Sequence, residues 1–247
     1  MRNIKLVYEY DGTNFFGLQR QEKQRTVAGE IEKVLKIILK EEISMFNSGR
    51  TDRGVHALMQ VSNFFTEGVI PAERLKYALS NALPKDIRLI HLEEVDMEFN
   101  ARFSAKWRAY TYKISRDINI FERNQVMYLD KDLDAQKLEE ILKPLVGKHD
   151  FSSFRKADCQ AQNPIREMYE VKVFKEGNNT LIYLKANSFL KSMVRIIVGS
   201  ALAVYFEKEE KDYIKNKLAN PNKQEFGKYL AEPQGLYLSE VSYIEYN

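Results

Sequence analysis

The decapeptide at residues 48–57, SGRTDRGVHA, is the feature that most constrains the fold, because it places two glycines around a charged cluster. Gly49 and Gly54 supply backbone angles that other residues resist, which indicates a tightly shaped loop rather than the interior of an element. The alternation over residues 59–65 predicts a strand directly after this loop. Asp52 is therefore expected on a turn that leads into a sheet.

Two arginines flank Asp52 in this loop, Arg50 and Arg53. Positive charge nearby keeps a carboxylate ionised, and guanidinium groups also donate hydrogen bonds to phosphate oxygens. Charged loop residues are most often solvated surface, so this loop alone is compatible with a simple surface turn as well as with a functional site. The choice between a surface turn and a functional site therefore depends on the rest of the sequence.

The rest of the pattern predicts an α+β protein. Apolar residues at helical spacing predict helices, and alternating residues predict strands. The helices are predicted at residues 27–38, 71–82, 135–146, 189–206 and 212–218. The strands are predicted at residues 4–10, 43–47, 60–66, 87–95, 106–114, 168–175 and 180–187. In the helix at 189–206, expected to be the longest, Lys191 and Arg195 are four apart and would share a face.

Length and element order indicate two similar halves. A chain of 247 residues exceeds the usual size of one domain but is short for two unrelated ones. We place the halves at residues 1–117 and 118–247, joined by a connection without clear periodicity. Each half has the mixture of helices and strands found in RNA-recognition or ferredoxin-like folds, with helices on one sheet face and the other face left for a cleft.

Composition narrows the class of protein. The net charge of +3 excludes a highly basic packaging protein but allows a local basic groove. Cys159 is the single cysteine, which rules out an internal disulfide and indicates a reducing, cytoplasmic setting. The three histidines, His56, His91 and His149, lack the spacing of a zinc site, so no metal is expected. Neither a signal peptide nor an apolar run long enough to span a bilayer is present.

Motifs for several kinds of chemistry are missing from the sequence. There is no dinucleotide fingerprint, no phosphate-binding P-loop, no nucleophile-elbow serine and no cysteine–histidine pair. What remains is chemistry by a carboxylate that acts as nucleophile or general base, or no chemistry at all.

The loop around Asp52 resembles the catalytic loop of the TruA-type tRNA pseudouridine synthases, G-R-T-D-x-G-V-H, at residues 49–56. That family usually carries a small residue at the variable position, where this chain has Arg53. Five further family motifs occur in the same order, so the resemblance extends from about residue 6 to residue 241. They are Y-D-G with F-x-G-x-Q-x-Q at 10–21, F-x-A-R-F-S-A with Y-x-Y at 99–112, D-F-x-S-F-R at 150–155, F-x-x-x-M-V-R-x-I-V-G at 189–199, and P-x-G-L-Y-L at 233–238. The last of these resembles the final strand of the family. In the first, Leu18 replaces a more frequent aromatic residue.

The resemblance implies a specific reaction and specific residue roles. The chain would isomerise uridine to pseudouridine on the 3′ side of the tRNA anticodon stem-loop, without cofactor or metal. The two halves of the chain would share a central, mostly antiparallel mixed sheet, and the enzyme would be a homodimer. Asp52 would be the essential carboxylate, Arg195 would pair with it, and Tyr110 would stack on the flipped base. The candidate RNA contacts are Arg20, Arg25, Arg50, Arg53, Arg102 and Lys191, of which Arg102 would insert during base flipping.

Two other interpretations stay open from the sequence. The same chemistry could act on another RNA, such as ribosomal RNA, because Arg53 and Leu18 depart from the usual motifs. A non-catalytic RNA-binding module is the second; a carboxylate at Asp52 disfavours it, because negative charge between two arginines weakens phosphate binding. A phosphoesterase that uses Asp52 is a more distant third.

Overall fold

The computed structural model describes residues 1–117, 119–221 and 227–246. The strands are β1 (Arg2–Tyr10), β2 (Phe46–Asn47), β3 (His56–Thr66), β4 (Ile87–Val95), β5 (Trp107–Ser115), β6 (Met127–Tyr128), β7 (Gly147–Asp150), β8 (Ile165–Glu176), β9 (Asn179–Ala186) and β10 (Leu236–Ser242). The helices are α1 (Val27–Leu39), α2 (Ala72–Ala82), α3 (Ala135–Leu142), α4 (Met193–Tyr205) and α5 (Tyr213–Ala219). The predicted α+β class is confirmed.

Two compact units make up the chain: unit 1 is Met1–Lys106 with Leu238–Asn247, and unit 2 is Trp107–Tyr237. In unit 1, β1 pairs antiparallel with both β3 and β4. In unit 2, β9 pairs antiparallel with β5 and β8, whereas β6 runs parallel to β5. The strand pairing is therefore mixed and mostly antiparallel, as predicted. The proposed division into repeated halves at residue 117 stays a prediction.

Helix α1 closes over the strands of unit 1 because its apolar residues recur on one face. Thr26 caps its first turn by accepting a hydrogen bond from the Gly29 amide, and Lys40 ends it in a left-handed conformation. Ile31 and Leu35 of this helix are buried. The helix thus packs its apolar face on the sheet and leaves its charged face in solvent.

The elements on either side of the Asp52 loop differ from the prediction. The strand before the loop covers only Phe46–Asn47, because the amide of Met45 donates to the Glu32 carboxylate instead of to a ladder partner (2.9 Å). The strand after it begins at His56 rather than at residue 60. Because β3 starts earlier than predicted, its first residues lie opposite the end of β1, and Ala57 is in register with Tyr10. The loop therefore ends directly at a strand.

The carboxyl-terminal segment returns to unit 1. The amide of Lys106 donates to the Ser242 carbonyl oxygen at 2.8 Å, and the Tyr243 hydroxyl donates to the Ala101 carbonyl oxygen at 3.0 Å. The ring of Tyr243 also packs on Phe99, with centroids 4.9 Å apart. Unit 1 is therefore built from both ends of the described chain.

Unit 2 contains the predicted hairpin, formed by β8 and β9. Asp134 caps α3 by accepting from the Lys137 amide, as predicted, and Leu138 and Leu142 are buried on its inner face. The helix ends at Leu142, earlier than predicted, because Pro144 lies in a following 3-10 turn and cannot donate the hydrogen bond that an α-helix needs.

Helix α4 begins four residues later than predicted. Ser192 has a φ of 58°, a left-handed conformation that interrupts any helix from Phe189 onward. Lys191 therefore precedes the helix, and the prediction that it shares a helical face with Arg195 is wrong. With thirteen residues the helix equals α1 in length, so it is not the longest. The helix is apolar almost all round, so its residues are buried on most sides within unit 2.

Candidate active site

The loop that carries Asp52 is tied at several backbone positions within unit 1. The Val55 amide donates to the Asp52 carbonyl oxygen at 3.2 Å, which closes a turn, and Gly54 adopts the predicted left-handed region with a φ of 75°. The Tyr10 hydroxyl lies 2.7 Å from the Thr51 hydroxyl at the end of β1. Asp52 itself is half-buried. Its carboxylate is thus carried by a fixed backbone rather than by a mobile loop tip.

Two glycines in the segment after β1 pack against the backbone of this loop. A Cβ atom at Gly12 would lie 2.0 Å from the Val55 carbonyl oxygen, and one at Gly17 would lie 2.7 Å from the Thr51 carbonyl oxygen. The Leu18 amide donates to that same Thr51 oxygen at 3.3 Å. Glycine is needed at both places because any side chain would displace the loop.

His56 and Asp11 hold the base of the loop. The buried ring of His56 has its Nδ1 atom 3.0 Å from the Gly12 amide nitrogen and 3.2 Å from the Asp11 carboxylate. The contact with His56, together with the amide and hydroxyl of Thr13, keeps the pKa of Asp11 well below its ordinary value. The spacing of the three histidines in the sequence does not indicate this structural role of His56. Its position at the loop–strand junction is the sequence signal that could have indicated it.

Arg50 and Arg53 are both exposed on the Asp52 loop. The Arg53 guanidinium lies over the Phe16 ring, with its central carbon 4.2 Å from the ring centroid. This cation–π contact joins the loop to the segment after β1. Sequence patterns gave no sign of it, because the two residues are far apart along the chain.

Arg20 and Arg25 lie in that same segment but differ in their surroundings. Arg25 donates to both carboxylate oxygens of Asp86, at 2.7 and 2.9 Å, and also lies 4.1 Å from the Phe15 ring centroid. The bond to Asp86 raises the pKa of the Arg25 guanidinium. Arg20 is exposed and is 3.6 Å from the Glu32 carboxylate. Arg25 therefore has a structural role in unit 1, whereas Arg20 faces solvent.

Arg102 lies on a rigid turn before β5. The amides of Arg102 and Phe103 both donate to the Asn100 side-chain oxygen, at 3.0 and 3.1 Å. The amide of Ala101 donates to the buried Asn63 side chain at 2.8 Å. Arg102 and Phe103 are exposed at the tip, with the guanidinium carbon 5.3 Å from the ring centroid. A buried polar network thus supports a solvent-facing basic and aromatic tip.

Tyr110 lies in β5 of unit 2 and is only 7% exposed. Its ring meets Phe189 edge to face, with centroids 5.0 Å apart and an interplanar angle of 81°. Tyr112, two residues on, donates its hydroxyl to the Glu232 carbonyl oxygen at 2.7 Å, and burial raises its pKa far above the ordinary value. Phe189 was not among the predicted site residues, although it opens one of the motifs.

Arg195 lies in the first turns of α4 and is 8% exposed. Its Nε atom donates to the Ala231 carbonyl oxygen at 2.8 Å, and the Ala231 amide donates back to the Arg195 carbonyl oxygen at 3.0 Å. Lys191 is exposed and forms an ion pair with Asp158 at 2.5 Å. The two basic residues therefore have separate surroundings within unit 2.

Across residues 1–117, 119–221 and 227–246, no three His, Cys, Asp or Glu side chains come together as potential metal ligands. None of the helices within those residues is long and apolar enough to cross a bilayer.

Comparison with known proteins identifies the family. A family model described as tRNA pseudouridine synthase matches residues 6–104 and 141–244. A tRNA pseudouridine synthase A 2 from Clostridium perfringens is 40% identical over 98% of this chain and 100% of its own length. Proteins named tRNA pseudouridine synthase A from Anoxybacillus flavithermus and Acetivibrio thermocellus are 42% and 38% identical, each over 98% of this chain and 99% and 100% of their own lengths.

A solved structure is also similar, at a low level. The chain titled "Crystal Structure of a Cbf5-Nop10-Gar1 Complex" matches with a TM-score of 0.34 and 14% identity, over 82% of this chain and 54% of that one. The family model and the full-length relatives therefore carry the assignment, and they confirm the resemblance seen in the motifs. The chain belongs to the TruA-type tRNA pseudouridine synthase family.

Proposed function

We propose that this chain isomerises uridine to pseudouridine on the 3′ side of the tRNA anticodon stem-loop, with Asp52 as the essential carboxylate. Membership of the family makes it an isomerase that acts on tRNA. The observation that carries the proposal for Asp52 is the rigidity of its loop, which is held by Gly12, Gly17 and the Thr51 hydroxyl bond. A fixed carboxylate is what a reaction that depends on positioning needs.

The chemistry suits a single carboxylate. The bond between C1′ and N1 of the uridine breaks, the uracil turns, and a bond between C1′ and C5 forms. The C5 proton leaves and N1 gains a proton, so the product is an isomer of the substrate. Nothing is oxidised or reduced, so no redox cofactor is needed. Asp52 either attacks as the nucleophile or removes a proton from the sugar, and both roles require the carboxylate in its ionised form. The target base has to leave the helical stack first.

Tyr110 and Arg195 are the proposed partners of Asp52. Tyr110 would stack on the flipped uracil, and its support is the Phe189 ring that packs edge-on against it. Arg195 would form an ion pair with the carboxylate, supported by the Nε bond to Ala231 that fixes the orientation of its guanidinium. Both residues fall on the family motifs read from the sequence.

RNA contacts are proposed for the six basic residues of the sequence analysis. Arg50, Arg53 and Arg102 are best suited, because their guanidinium groups are exposed on anchored turns. Arg20 is exposed as well. Arg25 and Lys191 each have a carboxylate partner, Asp86 and Asp158, so they would add less to phosphate binding.

The test is to compare wild type with Asp52→Asn on tRNA labelled with tritium at C5 of uridine. Wild type is expected to release tritium and to form pseudouridine that chemical labelling maps to the anticodon stem-loop. Asp52→Asn is expected to bind the tRNA and release nothing. Asp96→Asn, which changes an exposed carboxylate of the same unit, is the matched control and should behave as wild type.

Other outcomes of this experiment select the alternatives. Activity on ribosomal RNA fragments but not on the tRNA stem-loop would show that the substrate is ribosomal RNA. Binding of either RNA by wild type without tritium release would indicate a non-catalytic module. Full activity of Asp52→Asn would rule out the essential role of this carboxylate.

A homodimer in the cytoplasm is also part of the proposal. The resemblance to the family supports the dimer. The single cysteine, Cys159, supports a reducing compartment. Light scattering of the purified protein at several concentrations tests the dimer, and a mass of about 58 kDa, twice the chain mass of 28.9 kDa, is expected.

A further inference from the structure

Adjacent phenylalanines in the segment after β1 each carry an arginine over the ring, and the two stacks have different surroundings. Phe15 is 1% exposed, and Arg25 above it donates both arms of its guanidinium to Asp86. The charge of Arg25 is therefore compensated inside the fold. This stack is closed, and it fastens the segment to the turn before β4.

The second stack, Arg53 on Phe16, is open. Phe16 is 37% exposed and Arg53 is exposed, with 4.2 Å between the guanidinium carbon and the ring centroid. Within the part of the chain that the structure describes, the Arg53 guanidinium meets no carboxylate. An exposed planar cation on a half-exposed aromatic ring thus faces solvent with its charge uncompensated.

This open stack is held in place from both sides. The Phe16 amide donates to the Arg25 carbonyl oxygen at 2.9 Å, and the Phe16 carbonyl oxygen accepts from the Gln21 side chain at 2.9 Å. On the other side, the Gly54 amide donates to the Phe15 carbonyl oxygen at 3.4 Å. A ligand that binds here therefore orders little additional backbone.

The chemistry of the pair fits a ribonucleotide. A guanidinium donates forked hydrogen bonds to phosphate oxygens, and an aromatic face or edge stacks on a nucleobase of any type. Arg53 is the chain neighbour of Asp52, so consecutive Cα atoms are about 3.8 Å apart. A nucleotide on this pair therefore lies beside the one at the carboxylate. Because the pair lies next to the reacting group, it is placed to act on the substrate rather than on a separate partner.

We propose that Phe16 and Arg53 form a binding platform for a nucleotide that flanks the target uridine, with its phosphate on Arg53 and its base against Phe16. The inference rests on the proposed function for the identity of the RNA, and it adds a subsite that fixes how the substrate is held. Both residues occupy variable positions of the motifs, so the platform distinguishes this chain from relatives with a small residue at the position of Arg53.

The experiment uses the full-length protein and an anticodon stem-loop RNA. Arg53→Gln, Phe16→Leu and the double variant are compared with wild type for tritium release and for equilibrium binding at several salt concentrations. Each single variant is expected to raise KM and Kd about five- to tenfold with kcat unchanged, because a contact common to ground and transition state is lost. Arg53→Gln should also lower the slope of log K against log salt by about 1, as one phosphate contact disappears, whereas Phe16→Leu alone should lower it less.

Arg74→Gln and Tyr77→Leu on helix α2 are the matched controls. They remove an exposed arginine and an exposed aromatic ring from the same unit, away from the Asp52 loop. They are expected to leave Kd, KM and the salt slope at wild-type values. Thermal unfolding of all variants checks that each one is folded.

The outcomes separate this inference from the proposed function. A wild type that releases tritium, together with an Arg53→Gln variant whose Kd and salt slope are unchanged, would overturn the platform while leaving the enzyme intact. A wild type that binds RNA without reacting would count against the proposed function. In that case, a lowered salt slope in Arg53→Gln still supports the platform, and an unchanged slope overturns it. A loss of RNA affinity in Arg74→Gln as large as that in Arg53→Gln would also overturn the platform, because the effect would then be one of net charge.

Discussion

Gly17 and Thr51 touch through their backbones, with the position of a Gly17 Cβ only 2.7 Å from the Thr51 carbonyl oxygen. Gly17 also has a φ of 91°, which side chains rarely tolerate. This contact connects the first motif of the chain to the loop that carries Asp52. The loop geometry therefore depends on a residue without a side chain.

Gly17→Ala should destabilise the protein and lower its activity. Strain at positive φ and the overlap with Thr51 are together expected to lower the free energy of unfolding by about 2 kcal/mol or more. Urea unfolding and tritium release measure the two effects. Gly177→Ala is the control, because Gly177 also has a positive φ but open space around its Cβ position. It should cost only about 1 kcal/mol and leave activity intact. Equal effects of the two variants would contradict the importance of the Thr51 contact.

Asn63→Leu should be one of the most damaging changes in unit 1. The buried Asn63 side chain accepts from the Ala101 amide and donates to the Asn3 side-chain oxygen, both at 2.8 Å. With leucine at position 63, the Ala101 amide and the Asn3 side-chain oxygen stay buried and lose this partner. Each loss is expected to lower the free energy of unfolding by about 1–3 kcal/mol. Thermal unfolding measures this loss. Asn81→Ala, which removes only an exposed bond within α2, is the control and should change the melting temperature little.

Asp11→Asn should alter the pH dependence of stability. The folded pKa of Asp11 is lowered, mainly by its bond to His56, so the folded state binds this proton more weakly than the unfolded state does. The stability that ionised Asp11 contributes to the folded state is therefore fully present above its ordinary pKa of 3.8. It is lost as the pH falls through the lower pKa of the folded state. The difference in unfolding free energy between wild type and Asp11→Asn should be largest near neutral pH and shrink below about pH 4. Urea unfolding from pH 3 to pH 7 checks this, and a difference independent of pH would contradict it.

Arg25→Lys should weaken unit 1 although it keeps the charge. A lysine cannot form the planar fork of two nitrogens that Arg25 offers to Asp86, and it cannot stack as a plane on Phe15. The expected loss is about 1 kcal/mol in the free energy of unfolding, since the pair is partly exposed. Arg88→Lys, which changes an exposed ion pair with Glu9, should unfold like wild type. An equal loss in both variants would show that the closed stack is no more important than a surface ion pair.

Local patterns predicted most elements because their residues follow a single period. Strand β4 occupies the predicted residues 87–95, and α1 begins at the predicted Val27. The errors fall where another interaction overrides the local pattern. Glu32 takes the Met45 amide and shortens β2, and the left-handed Ser192 delays α4.

The candidate site was predictable as residue types but not as contacts. Asp52 and its arginines were found from one loop, whereas the Arg53–Phe16 and Asp11–His56 contacts join residues far apart in the chain. Periodicity and spacing carry no information on such pairs. The roles of Tyr110 and Arg195 stay predictions.

The return of the final segment to unit 1 has a consequence for synthesis on the ribosome. Residues 1–106 emerge first, yet Lys106, Ala101 and Phe99 find their partners only when Ser242 and Tyr243 have been made. Unit 1 must therefore wait, incompletely paired, while the whole of residues 107–237 is translated. A premature stop before residue 238 would leave the first-made part of the protein as the unfinished one, exposed to chaperones and proteases.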